Sequence, residues 1–337
     1  VQSSIESNQE MCYPISIISF GGITLSILGA LTGVFTIFVL IAVGFYITKR
    51  GFLDNKTVDR LTTLTVRFSI PFLLFKNAIN NFSREFVAEQ GLLLLIPILP
   101  VVLSFIFAKL LAKLIKTDEK RSGVFVVTFT LANVTFIGLP VVLSIFGDIG
   151  AVYDSVYLLW NTLLFWSFGC AGIAKSGGQT MKFGWGAIKR VFSPPLIGFL
   201  SGFTLSMLGI KLPDFIMNPI NYLGNLTTPL SMLLTGAVIS GMGKKAFHLP
   251  KEGWLTLLGR FIIAPGLTLA TCLILGANEM MTCILTVVSA MPSMTQCMIM
   301  SKYYNADYEF AAQMLTVTTI CSMIIIPVIV TVLTLIY

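Results

Sequence analysis

Charge is scarce in this sequence. Asp, Glu, Lys and Arg make up only 11% of 337 residues, while 55% are apolar. Soluble domains carry about 25% charged residues, so an ordinary water-soluble enzyme or binding domain is excluded. Histidine occurs once, as His248, in a loop with Lys244 and Lys245, where a solvated side chain is expected. The six cysteines, Cys12, Cys170, Cys272, Cys283, Cys297 and Cys321, form no CxxC pair, and five fall in apolar runs. Buried thiols are therefore expected, not a disulfide framework, a zinc site or any other metal site. All fifteen acidic residues fall in predicted loops or at span ends. The intramembrane carboxylate with which many carriers trade a proton or ion is thus expected to be missing. No Ser/His, paired-Asp or metal constellation sits within the apolar runs, so no intramembrane enzyme and no cofactor is expected. No basic n-region precedes an apolar stretch, which argues against a removed signal peptide.

Long uncharged runs dominate instead. Stretches 123–147, 155–174, 191–210, 215–243, 280–301 and 310–337 carry no charge over a length that spans hydrocarbon, roughly 20 helical residues. Stretches 91–108 and 261–278 reach that length past a flanking Lys or Arg that snorkels. A span at 57–79 is interrupted by Arg67. The run 11–48 is too long for one crossing and is broken by Gly21-Gly22, so residues 1–26 read as an N-terminal extension or interfacial segment and the first span starts at 27. This makes ten helices. Of 22 Lys and Arg, 17 fall in the loops after odd-numbered spans and 3 after even-numbered ones, with Arg67 and Arg260 inside spans. That asymmetry places the odd loops in the cytoplasm and both termini outside. The net charge of +7 is then a topology signal, and no nucleic acid partner is expected.

The charged linker 175–190, with Gly177-Gly178, divides the chain into five-helix halves at 27–174 and 191–337. Five is odd, so related halves would be inserted upside down relative to each other, as in many secondary transporters. Pro71 and Pro229 interrupt the second and seventh spans, and Pro140 and Pro292 the fourth and ninth. Proline removes a backbone hydrogen bond, and the freed carbonyls need protein or water around them. The fourth and ninth spans add Asn133, Thr135 and Gly138 on one side and Ser293, Thr295 and Gln296 on the other, with Ser289 close by. Matched interrupted helices point to a midplane substrate site; plain kinks between packed helices are the alternative. A helix restarting after a break offers unpaired N–H groups and a positive dipole end, which suit a carboxylate. Asn133 and Gln296 could add amide donors, and so could Asn161. Arg67 and Arg260 cost about 2.5–3.5 kcal/mol each at the bilayer centre and should anchor, gate or pair with an anion. Trp160, Trp166, Trp185 and Trp254 fit interfacial belts or packing.

The stretch Asn133-Val134-Thr135-Phe136-Ile137-Gly138-Leu139-Pro140 resembles the fourth-helix pattern of the auxin efflux carrier (PIN-like) family. Lys49-Arg50-Gly51-Phe52-Leu53-Asp54 is similar to that family's first cytoplasmic loop, Ser69 to Phe75 to its second helix, and Pro292 with Lys302-Tyr303-Tyr304-Asn305 to its ninth helix and exit. The resemblance implies an all-α membrane protein of ten helices in which broken helices four and nine cross. It implies a scaffold of helices one, two, six and seven, a transport domain of three to five and eight to ten, and a homodimer through the scaffold. It further implies a multi-pass carrier of organic anions, dicarboxylates or auxin-like carboxylates, in a plasma or bacterial inner membrane. Asn133, Pro140 and Pro292 belong to its substrate crossing. The plant carriers' long central cytoplasmic segment has no counterpart, which speaks against their regulation and against auxin itself. The residues leave open whether sodium, a proton or neither is coupled, and a receptor retaining the fold is the rival reading.

Overall fold

The prolines shape the helices in a consistent way. Pro71, Pro140 and Pro265 each follow, by two residues, a stretch wound as a π-turn: Thr65–Ser69, Val134–Gly138 and Gly259–Ile263. A proline has no N–H to donate and its ring presses on the carbonyl four residues back, so the turn before it widens. The N–H groups of Ile70, Leu139 and Ala264 accordingly reach back five residues, to the carbonyls of Thr65, Val134 and Gly259.

The computed structural model describes residues 17–20, 23–179, 192, 194–242 and 248–336. Cys12, Gly21-Gly22, Trp185, Lys244, Lys245 and residues 180–191 of the linker lie outside the described residues. A short antiparallel hairpin, β1 (Ile17–Phe20) with β2 (Ile23–Ser26), leads into α1 (Ile27–Lys49). Helix α2 (Asn55–Leu64) runs through the first π-turn into α3 (Ile70–Asn81), and α4 (Arg84–Gln90) leads to α5 (Ile98–Leu114). Then come α6 (Glu119–Thr130), α7 (Leu139–Leu164) and α8 (Cys170–Ser176). The second half holds α9 (Pro194–Met207), α10 (Asp214–Asn225), α11 (Thr227–Met242), α12 (Lys251–Leu258) and α13 (Ala264–Leu275). It ends with α14 (Glu279–Ser289), α15 (Thr295–Tyr303) and α16 (Tyr308–Ile336).

Among the described residues, five continuous stretches are long and apolar enough to cross a membrane: Arg84–Leu114, Val134–Ser176, Asp214–Gly241, Lys251–Leu275 and Tyr308–Ile336. The second of these bends at Gly147, whose φ of 65° favours a residue without a Cβ. The fourth and ninth apolar runs fall short of crossing length because each is interrupted, at residues 131–133 and at 290–294. Helix α1 packs along α11, and α3 along α9, at glycines. A Cβ on Gly44 would collide with the Leu233 backbone and one on Gly236 with Ile41; Gly198 and Gly202 meet Pro71 and Phe75 in the same manner. With no hydrophobic drive between helices in lipid, such close backbone approach supplies the dispersion contact.

The rest of the core gathers around α6, α7, α14 and α16, where Phe125, Phe129, Tyr157, Phe165 and Phe310 are fully buried. At one edge Arg121 joins three elements, reaching Asp307 at 2.7 Å and Glu252 at 3.3 Å. Burial alone would lower its pKa, but the two carboxylates reverse this and hold it above the ordinary value. Of the five described cysteines, four are buried.

Candidate functional site

The two interruptions meet. Ala132 and Ser293 form an isolated antiparallel bridge, the Asn133 N–H donates to the Pro292 carbonyl at 2.7 Å, and the Met294 N–H donates to the Leu131 carbonyl at 3.1 Å. Each unwound segment thus supplies backbone partners for the other, which buried peptide groups require in a medium without water. Asn161 on α7 completes the pairing. Its Oδ1 accepts from the Ala132 N–H at 3.2 Å and its Nδ2 donates to the Ala132 carbonyl at 3.0 Å, so one side chain satisfies both backbone polar groups of one residue in the break. Ser293 donates from its N–H to Thr318 Oγ1 (3.0 Å) and from its Oγ to the Thr128 carbonyl (2.9 Å).

Arg260, in the third π-turn, is fully buried and points at the ends of both arrested helices. Its Nη1 donates to the carbonyl of Thr130, the last residue of α6, at 2.6 Å. Its Nη2 donates to the carbonyl of Ser289, the last residue of α14, and both Nε (3.0 Å) and Nη2 (2.7 Å) donate to Met291. A helix C-terminus carries about half a unit of negative charge, so one guanidinium neutralises two such ends at once.

The opposite ends are treated differently. Val134 and Thr295 start the segments that resume after the breaks, positions whose N–H groups find no partner within their own helix. Asn133 joins them: its Oδ1 accepts from the Phe136 N–H at 3.3 Å and its Nδ2 donates to Thr295 Oγ1 at 3.0 Å. Beside this pair lies a cavity of about 50 Å³, whose polar lining is Asn133, Thr295, Thr62, Thr235, Thr316 and Thr319. Leu234, Val238 and Ile239 of α11 and Phe136, Ile137 and Leu315 supply the apolar walls, and among the described residues no charged side chain lines it.

Among the residues expected at a site, Asn133 and Thr295 reach this cavity. Pro292 and Ser293 lie in the bridge, and Thr135, Gly138 and Pro140 are buried along the resuming helix. Gln296 is half-buried and not part of the lining; Asn161 is engaged by Ala132. Arg67 stands apart: it is exposed, in an outer groove of about 410 Å³ with Phe72, Phe75 and Ser201. Trp160 donates to the Leu94 carbonyl at 2.9 Å, a packing role. His248 is exposed. The hydroxyls of Thr62, Thr235, Thr316 and Thr319 were not anticipated. Three threonines within Thr316 to Thr319, in an otherwise apolar helix, are the pattern that marks that wall.

One expectation is overturned. Asp154, taken as a loop residue, sits inside α7 at 0% exposure, seven residues before Asn161. The helix resumes directly after Gly147, so a window drawn to exclude charge cut it in the wrong place. Both Asp154 oxygens are buried without a hydrogen-bond partner.

Comparison with known proteins follows this geometry. A family model described as a membrane transport protein matches residues 30–330. The chain belongs to that family, which is the auxin efflux carrier (PIN-like) family. This membrane transport protein is 26% identical over 310 residues to an uncharacterized transporter of Methanocaldococcus jannaschii, covering 87% of this chain and 95% of that protein. A second uncharacterized transporter, from Methanothermobacter thermautotrophicus, is 26% identical over 305 residues, covering 89% of this chain and 97% of its own length. As a family member with several apolar helices, the chain is a multi-pass membrane protein.

Proposed function

We propose that this family member is a secondary carrier of small organic anions, such as dicarboxylates or auxin-like carboxylates, and not an enzyme. The observation that carries the reading is the placement of Arg260. Of the four helix ends at the meeting of the two breaks, it occupies the two negative ones. The two positive ends, at Val134 and Thr295, are left beside the cavity. An uncharged, hydroxyl-lined pocket with two converging helix N-termini favours a carboxylate over a cation.

Ten spans in a 5+5 inverted repeat, with both termini outside, remain our reading of the topology. The packing supports it: α1 against α11 and α3 against α9 exchange with each other when the halves are interchanged. So do the breaks at 131–133 and 290–294. The division into a scaffold, from spans one, two, six and seven, and a transport domain, from the rest, follows the cavity. Thr62, Leu234 and Thr235 line it from one side, and Asn133, Thr295 and Thr316 from the other. A cavity of about 50 Å³ is far below the roughly 300 Å³ of a typical ligand pocket. The anion must therefore enter when one body moves along the other, an elevator-type step past the smooth Leu234, Val238 and Ile239 face. A homodimer through the scaffold would hold that body still.

The test is uptake of labelled malonate, malate and indole-3-acetate into proteoliposomes holding the purified protein. Saturable flux that is lost in Asn133→Ala is expected. Saturable binding without flux would sink the carrier reading and favour a receptor.

A further inference from the structure

We propose that Asp154 is the proton-binding residue through which this carrier couples anion movement to a proton gradient. The inference rests on the carrier reading above and adds the coupling ion. It starts from position. Asp154 and Asn161 lie seven residues apart on α7, hence on one face. Asn161 grips Ala132 in the break, and Asp154 lies about two turns away along α7, against the resuming helix. A Cβ built on Gly138 would stand 3.2 Å from Asp154 Oδ1 and 3.4 Å from the Asn133 carbonyl oxygen. The carboxyl thus lies directly behind the turn whose front faces the cavity.

Neither oxygen has a partner, and the side chain is wholly out of solvent. A bare carboxylate in such a place carries a desolvation penalty that nothing here offsets. The elements packed against α7 are α1, with Tyr46 and Lys49; α3, with Lys76; α5, with Lys109 and Lys113; and α14, with Glu279 and Cys283. None of these bonds to Asp154. On α7 itself the Tyr153 hydroxyl donates to Gln90, and Tyr157 leaves the carboxyl unpaired. Arg260 is committed to carbonyls. In this closed conformation the carboxyl therefore carries a proton.

The cycle balances simply. On one side of the membrane a proton from water adds to an Asp154 oxygen and forms the O–H bond. On the other side that bond breaks and the proton returns to water. An anion at the Val134 and Thr295 ends repels an ionised Asp154 behind them, so proton and anion load together, and by linkage each favours the other by the same factor.

The experiment uses the full-length protein in proteoliposomes with the membrane potential clamped at zero and labelled malonate or malate as probe. Wild type should accumulate the solute about tenfold per pH unit of imposed gradient at one proton per anion. Asp154→Asn, which copies the shape of the protonated acid, should equilibrate solute without accumulating it, at an exchange rate that no longer varies with pH. Infrared difference spectra of wild type minus Asp154→Asn should contain the carbonyl stretch of a protonated carboxyl group. Accumulation by the variant equal to wild type, drive by a sodium gradient alone, or absence of that band at every pH would overturn the proposal. If wild type moves neither anion, the carrier reading for these solutes fails, while the infrared band still decides whether Asp154 holds a proton.

Discussion

Replacing Arg260 with methionine isolates the clamp that holds the two arrested helices. The change keeps an unbranched, roughly isosteric stem and removes every donor, leaving the Thr130, Ser289 and Met291 carbonyls unpaired in a fully buried place. Three orphaned carbonyls cost about 2 kcal/mol each, or roughly 6 kcal/mol. Not having to bury a guanidinium returns about 3 kcal/mol. The net loss of about 3 kcal/mol is a large share of a stability of about 5–15 kcal/mol. At about 2–4 °C per kcal/mol, detergent-solubilised Arg260→Met should melt on the order of 6–12 °C below wild type. Arg260→Lys, whose single ammonium cannot span three carbonyls, should fall between the two. Thermal unfolding followed by size-exclusion fluorescence reads this directly. A methionine variant that melts with wild type would refute the claim that the guanidinium holds these ends.

Asn133→Ala should lose the cap on Phe136 and the link to Thr295, at about 1 kcal/mol in stability, with at least a tenfold fall in anion flux. Asn133→Asp keeps the acceptor for Phe136 but loses the Nδ2 donor to Thr295 and puts a negative charge in a buried place, so it should melt below wild type and bind malonate far more weakly than Asn133→Ala does in a thermal-shift assay. Equal binding would count against an anion site there. Asn161→Leu should leave both the N–H and the carbonyl of Ala132 unpaired and lower stability by about 2–3 kcal/mol, measured by the same melt. Among the described thiols, the half-buried Cys321 should react with a maleimide in native protein well before the buried Cys170, Cys272, Cys283 and Cys297, as peptide mapping of the labelled sites would establish.

Membrane character and the apolar runs were legible because hydrocarbon enforces long uncharged stretches; the ninth run is interrupted at Pro292, but the fourth is interrupted at 131–133, seven residues before Pro140, which sits in the resumed helix after a π-turn. The π-turns before Pro71, Pro140 and Pro265 follow from the missing proline N–H. Arg260 could be flagged as costly, but its partners lie about 30 and 130 residues away, and no spacing rule connects them. Asp154 was misplaced for a physical reason: a window built to avoid charge ends a helix wherever a carboxyl occurs, while a fold can bury one. The cavity wall of Thr62 and Thr235 was invisible because a hydroxyl in a helix bonds its own backbone in any setting, as Thr235 does with the Ser231 carbonyl.

The mutual repair of the two interruptions has a consequence for biosynthesis. The Leu131 carbonyl and the Asn133 N–H find their partners in Met294 and Pro292, which the ribosome delivers about 160 residues later. At about 5–20 residues per second, the nascent first half waits roughly 8–30 s with those groups unanswered. The amide of Asn161, made about 1.5–6 s after Ala132 at that pace, is therefore the earliest available stopgap, a brace for Ala132 that the finished molecule retains.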